Sequence, residues 1–221
     1  MAKKNLLNIK SLKEQVYEYL RKQINKRELK PGSSINMDAT SKKLGISKTP
    51  LRDALIQLEM EGFVTIAPRR GIYVNALTLE DIKNYYQVIG ALESSALIYS
   101  FEDINIERME KLNKDMKKTI KSGNFNLFYK KNLEFHNSYI KLIKNKILVK
   151  IVNNLKKRLY DFPRREKWIK EWEKSSIVEH QQIIELLKKG KPQETAAFIR
   201  DVHWSFKVQE KFITKYYFEQ E

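Results

Sequence analysis

His136, His180 and His203 are the only imidazoles in the chain, and their neighbours predict that all three turn inward. One helical turn from His136 stand Tyr139 and Ile140. His180 has Ile177, Ile183 and Ile184, and His203 has Ile199 and Phe206. On a helix, residues three and four apart share a face, so each histidine lies on an apolar stripe. Buried imidazoles need partners for their ring nitrogens. Those partners are either hydrogen-bonding groups or a divalent cation with an open coordination position. Asn132, one turn before His136 on the same face, could supply an amide oxygen as a fourth ligand. Spacing alone leaves both readings open.

A second group with chemical potential lies near the front. Lys48, Thr49 and Arg52 fall at the start of a predicted helix whose Leu51, Leu55 and Leu58 recur at one-face spacing. Arg can grip guanine at two acceptors, Lys is a mobile phosphate or guanine donor, and Thr is short enough for close approach to a duplex. A helix N-terminus entering the major groove also presents unpaired N–H groups to phosphate. Around this helix the order of elements is readable. Met37 to Leu44 predicts a first helix, Gly45 ends it with a positive φ, and Ser47 stands at the next N-cap. Pro50 falls in the first turn, where no helical N–H bond is lost. Phe63 to Ile66 and Ile72 to Val74 are strand-forming runs flanking Ala67-Pro68-Arg69-Arg70-Gly71. The whole reads as a winged helix-turn-helix for double-stranded DNA, with Ser47, Lys48, Thr49, Pro50, Arg52, Arg69, Arg70 and Gly71 as the candidate DNA-binding residues. Solvated surface charge is the competing reading for these cations. Agreement among helix, turn and wing signals outweighs it.

The elements that carry these groups divide the chain in two. A helix over Ser11 to Asn25, with Leu12, Val16, Tyr19, Leu20 and Ile24 on one side, braces the reading head. Lys30-Pro31-Gly32-Ser33-Ser34 is a turn, after which Ile35 can pair as a short strand. Beyond Val74 the strand signals stop, which places a boundary at residue 76 and an all-helical domain over 77–221. Helices are expected near 79–101, 106–121, 125–143, 146–161, 166–188 and 193–218, forming an antiparallel bundle of six or seven helices. The expected fold class is therefore mainly α. Aromatics such as Trp168, Trp172 and Trp204 read as core or dimer surface.

Lys and Arg number 43 against 27 Asp and Glu in 221 residues, a net charge of +16. Residues 1–76 hold 15 basic and 7 acidic side chains, half of the excess in a third of the chain. That supports a polyanion partner without identifying it. There is no cysteine, which excludes disulfides, thiolate metal sites and a cysteine nucleophile. No run of 18 apolar residues and no signal-peptide core occur, so a cytoplasmic protein with no membrane partner is expected.

The run GISKTPLRDALIQLEMEGFV followed by PRRGIYV resembles the GntR family of bacterial transcription regulators, with Lys48 where Arg is usual. The helical half resembles the FCD effector-binding domain of the FadR subfamily, through TLEDIKNYYQVIGALE, NLEFH, IVEHQQIIELLKKG and DVHWSF. The resemblance implies a homodimer on a palindromic operator, most often as a repressor, with Gly71 approaching the minor groove. It further implies a small organic acid as effector and zinc, or else nickel or manganese, held by an Asp and three His. Two departures stand out. Asn132 replaces the usual Asp, which removes a negative charge. Ile89 replaces an arginine that clamps the effector carboxylate in many members, and an aliphatic side chain cannot form that fork.

Two other functions compete with a metabolite-responsive regulator. One is a metal-dependent hydrolase with a His-bound water. Glu134 and Glu179 adjoin histidines in sequence and so turn to other helix faces, which counts against it. The other is an architectural DNA-binding protein whose helical half only dimerises.

Overall fold

A computed structural model describes residues 10–161 and 169–218. The expected break at Phe162-Pro163, the start of a helix at 166 and Trp168 lie outside the described residues. The described residues form two compact units, one holding 10–77 together with 157–161 and the other holding 78–156 and 169–218.

In the first unit α1 (Leu12–Asn25), α2 (Met37–Leu44) and α3 (Lys48–Met60) precede β1 (Val64–Ala67) and β2 (Gly71–Val74). A capping box at Ser11 and Glu14 starts α1, and Asn36 caps α2 by accepting from the Ala39 amide at 2.9 Å. Gly45 closes α2 at φ 63°, the left-handed region that a side chain disfavours. Leu51, Ala54, Leu55 and Leu58 of α3 bury against Val16, Tyr17, Leu20 and Ile24 of α1. The α1 face differs from expectation at two positions. Leu12 is 47% exposed, whereas Tyr17 enters the core and donates its hydroxyl to Glu61 at 2.5 Å. A phenol is tolerated there because its polar end finds a carboxylate. The wing is an antiparallel pair in register from Val64 with Val74 to Ala67 with Gly71. Near Ile35 the expected short strand is reduced to one isolated bridge, Ser34 to Tyr73, with the Ile35 amide donating to the Ile72 carbonyl at 2.7 Å.

The second unit is wholly helical among its described residues: α4 (Leu79–Ser100), α5 (Ile106–Ser122), α6 (Phe125–Ile140), α7 (Lys146–Asp161, its last turn grouped with the first unit), α8 (Lys170–Lys188), α9 (Pro192–Phe198) and α10 (Phe206–Tyr217). Ile82, Ile89 and Leu97 of α4, Met109 and Met116 of α5, Phe135 and Tyr139 of α6 and Ile183 and Ile184 of α8 are all fully covered. The single helix expected over 193–218 is a correction. After α9 the chain widens into a π turn at Ile199–His203 and breaks at Trp204 and Ser205 before α10. Gly90 on α4 shows why the turn fits: a Cβ there would meet Trp204 Cβ at 3.0 Å and the Arg200 carbonyl at 3.4 Å. Close approach of two backbones decides the local winding, and π turns of this kind gather at functional sites.

Gly45→Ala tests the hinge between α2 and α3. Open space surrounds the position, so only the left-handed backbone opposes a methyl group. The substitution should cost about 1 kcal/mol, read as a lowered Tm in thermal denaturation.

Candidate metal centre and nucleic-acid interface

His136 on α6, His180 on α8 and His203 at the end of the π turn lie together, with one ligand atom from each within 4.8 Å of the others. His136 and His180 are fully buried and His203 is 9% exposed. Two of the rings are held from behind. Glu93 Oε2 on α4 lies 2.8 Å from His136 Nδ1, and Glu179 Oε2 lies 2.6 Å from His203 Nδ1. A carboxylate only accepts, so each Nδ1 carries the proton and each Nε2 keeps a lone pair. Those two Nε2 atoms face each other at 3.3 Å. Lone pairs set nose to nose repel unless something positive joins them. Two nitrogens each about 2.05 Å from a tetrahedral ion would sit about 3.3 Å apart. The third ring is the orphan: neither nitrogen of His180 has a hydrogen-bond partner, and the ring is placed by stacking on Phe135 at 4.0 Å between centroids. The donor set therefore fits a divalent ion, with carboxylates behind two ligands to fix their tautomers.

Asn132 is half-buried one turn before His136 and makes no described hydrogen bond. Around Glu93 the partners multiply: Tyr139 donates its hydroxyl at 2.5 Å, Trp204 its indole N–H at 3.0 Å, and Lys156 of α7 forms a buried ion pair with Oε1. Lys156 also lies 5.3 Å from the Trp204 ring. Glu179 in turn accepts from Gln209 at 2.9 Å and Ser175 at 3.1 Å.

Electrostatics follow from this burial. Desolvation would raise the Glu93 carboxyl, yet Lys156 and then His136 hold it far below the usual carboxylate range. Burial pushes His136 down to about 4 against the pull of Glu93, lowers His180 well below its ordinary value, and lowers Lys156 despite its partner. For Glu179 burial acts upward, but the hydrogen bond and charge of His203 together with the hydrogen bonds from Gln209 and Ser175 bring the carboxyl below its ordinary value.

The reading head keeps its cations outward. Ser47, Lys48, Thr49, Arg52, Arg69, Arg70 and Gly71 are exposed and Pro50 is half-buried. Arg52, Arg69 and Arg70 form no ion pair among the described residues, while Lys48 reaches Asp38 at 2.5 Å. That exposed pair contributes little to stability and yields readily to a competing phosphate. Ser47 occupies the N-cap position, but its hydroxyl makes no cap hydrogen bond, which corrects the expected cap. The cause lies three residues on. Pro50 at N3 has no N–H for a cap to accept from. At the wing tip Arg69 adopts φ 62° and Tyr73 donates its hydroxyl to the Arg70 carbonyl at 2.7 Å, fixing the arginine-bearing turn.

Against family descriptions, residues 12–74 match "Bacterial regulatory proteins, gntR family" and residues 84–202 match the FCD domain. The Nta operon transcriptional regulator of Aminobacter aminovorans is 30% identical over 177 residues, 77% of this chain and 80% of that protein. The chain belongs to the GntR family and carries an FCD domain. This GntR-family chain is a DNA-binding transcription regulator and not an enzyme. The transcriptional repressor RspR of Escherichia coli is 31% identical over 80 residues, 36% of this chain and 35% of that protein. Two solved structures share the fold: McbR/YncC of E. coli, with TM-score 0.64 at 20% identity over 94% of this chain and 97% of that one, and a GntR regulator from Rhodococcus, with 0.65 at 15% over 86% and 93%. No helix among the described residues is long and apolar enough to cross a membrane.

Sequence reasoning about this GntR-family regulator missed Glu93, Lys156 and Glu179 as parts of the centre. A signal existed for Glu93, which shares one face of α4 with Ile82, Tyr86, Ile89 and Leu97. It was available for Lys156, on the face of α7 that buries Leu148, Val152 and Leu159. Glu179 turns away from His180 as expected, and in doing so reaches His203 on another element.

The pH dependence of the metal-free protein follows from His136. Its folded value near 4 lies below the ordinary 6.5, so between those values the unfolded chain binds the proton and the folded chain does not. Stability is therefore full above about 6.5 and is lost as pH falls towards 4. Melting temperature in EDTA should drop across that window and stay level from pH 7 to 8.

Proposed function

We propose that this regulator is a metabolite-responsive repressor working in the cytoplasm, with a reading head over residues 1–76 and an effector-binding and dimerisation domain over 77–221. Two heads of a homodimer engage a palindromic operator. Thr49 and Arg52 read base edges, Ser47, Lys48 and the start of α3 around Pro50 meet phosphate, and Arg69, Arg70 and Gly71 of the wing approach the minor groove. Exposure of these residues beside an uncapped helix N-terminus supports this reading. Repression is the activity named for RspR, a relative over 36% of the chain.

In the helical domain His136, His180 and His203 hold a divalent ion, zinc foremost with nickel or manganese as the other choices, and Asn132 is the fourth ligand. The observation that carries this is the orphaned His180 ring beside two Nε2 atoms facing each other at 3.3 Å. Such an ion supplies a Lewis-acidic anchor for a small organic acid. Glu93 and Glu179 orient the ligating rings, and the bundle around them excludes water. Effector and operator then shift one another's affinity by the same factor.

Two measurements test the two halves. Arg52→Ala should cost about 1–3 kcal/mol of operator affinity and flatten discrimination between operator and scrambled duplex in a fluorescence shift assay; undiminished discrimination removes Arg52 from base reading. The purified chain should carry about one divalent ion by elemental analysis, and His180→Ala should lose it. Wild-type protein that stays metal-free when dialysed against zinc ends the metal reading.

A further inference from the structure

The charge around the three rings is sparse and can be counted by residue. Among the described residues, the carboxylates and the ammonium that meet the rings or their partners are Glu93, Glu179 and Lys156. Glu93 and Lys156 are paired in the protein interior, and Glu179 is spent on His203. Ligating imidazoles are neutral. Protein groups thus leave the centre one negative charge, and a divalent ion turns this into one positive charge, buried where an uncompensated charge is expensive. Among the described residues, neither position that could offer a second cation to another carboxylate does so. Ile89, the position where a guanidinium would serve, is fully covered and aliphatic, and the Lys156 ammonium is already engaged by Glu93 and faces the Trp204 ring.

Resting on the metal reading above, we propose that Lys156 is a specificity-determining residue: its buried ion pair with Glu93 sets the net charge of the centre so that the loaded site accepts a singly charged anion, such as a monocarboxylate, and rejects a dicarboxylate. The residue does so at a distance. Its ammonium cancels Glu93, which would otherwise neutralise the ion and remove the attraction for any anion. A monoanion brings the centre to zero net charge, whereas a dianion overshoots and buries a second carboxylate with no partner.

The test uses the full-length protein loaded with cobalt(II), whose visible absorption reports changes at the ion, titrated with acetate and with malonate at one pH and ionic strength. Acetate should perturb the spectrum at concentrations at least tenfold lower than malonate. Lys156→Met should weaken acetate at least tenfold while retaining cobalt. The double variant Lys156→Met/Glu93→Gln, which restores the charge without restoring the lysine, should recover most of the acetate response. Malonate binding as tightly as acetate overturns the proposal, as does a Lys156→Met protein that keeps wild-type acetate affinity or a double variant that stays weak while holding cobalt. Failure of the wild-type chain to take up cobalt at all overturns the metal reading itself, and this inference falls with it.

Discussion

Glu93 accepts from His136, Tyr139 and Trp204 while it pairs with Lys156, so side chains from α4, α6, α7 and the end of the π turn meet on one carboxylate. Burying a carboxylate costs several kcal/mol unless it is compensated, and here three donors meet Oε2 while the Lys156 ammonium pairs with Oε1. The arrangement works in both directions. Without Glu93 the Lys156 ammonium would be stranded in the interior and His136 would lose the group that fixes its tautomer. The helical domain packs around this constraint. Its covered apolar residues, Ile89 and Phe135 among them, exclude the water that would otherwise weaken these contacts, and Gly90 lets the π turn come close enough to deliver Trp204 and His203.

The reading head depends on simpler physics. A short helix capped by Asn36, the turn at Gly45 and a three-leucine stripe on α3 bury one side of the motif, leaving the opposite side to basic residues. Little here requires long-range cooperation. The geometry of the tip, with Arg69 in left-handed backbone and Tyr73 tethering Arg70, is set within a few residues of chain.

That difference in range explains what could be read from the sequence. Gly45, Pro50 and the leucine spacing are local signals, and the helices and wing of the reading head lie within a residue or two of where they are expected. The inward turn of the three histidines followed from their neighbours one turn away. Partners were harder. Glu93 and His136 are 43 residues apart and Glu179 and His203 are 24 apart, and no local pattern couples them. The π turn was invisible for a similar reason, since the periodicity of 193–218 runs smoothly through it. Its cause sits on α4 at Gly90, a residue that by propensity weakens a helix and by packing completes one. Ser47 shows the opposite failure. Residue type and position were right, but its hydroxyl has no acceptable amide because Pro50 occupies the place of the donor.

The near-complete enclosure of the three rings has a kinetic corollary. An ion held by His136 and His180, neither of which reaches solvent, would be open to water only on the side of His203, which is 9% exposed, and releasing the two buried ligands would require the helices to part. Its residence time is then governed by the rate at which the bundle breathes rather than by the strength of individual coordination bonds. Such an ion would exchange slowly with the medium, over the hours of a dialysis, and a chain of this design would be insensitive to brief swings in the free metal around it.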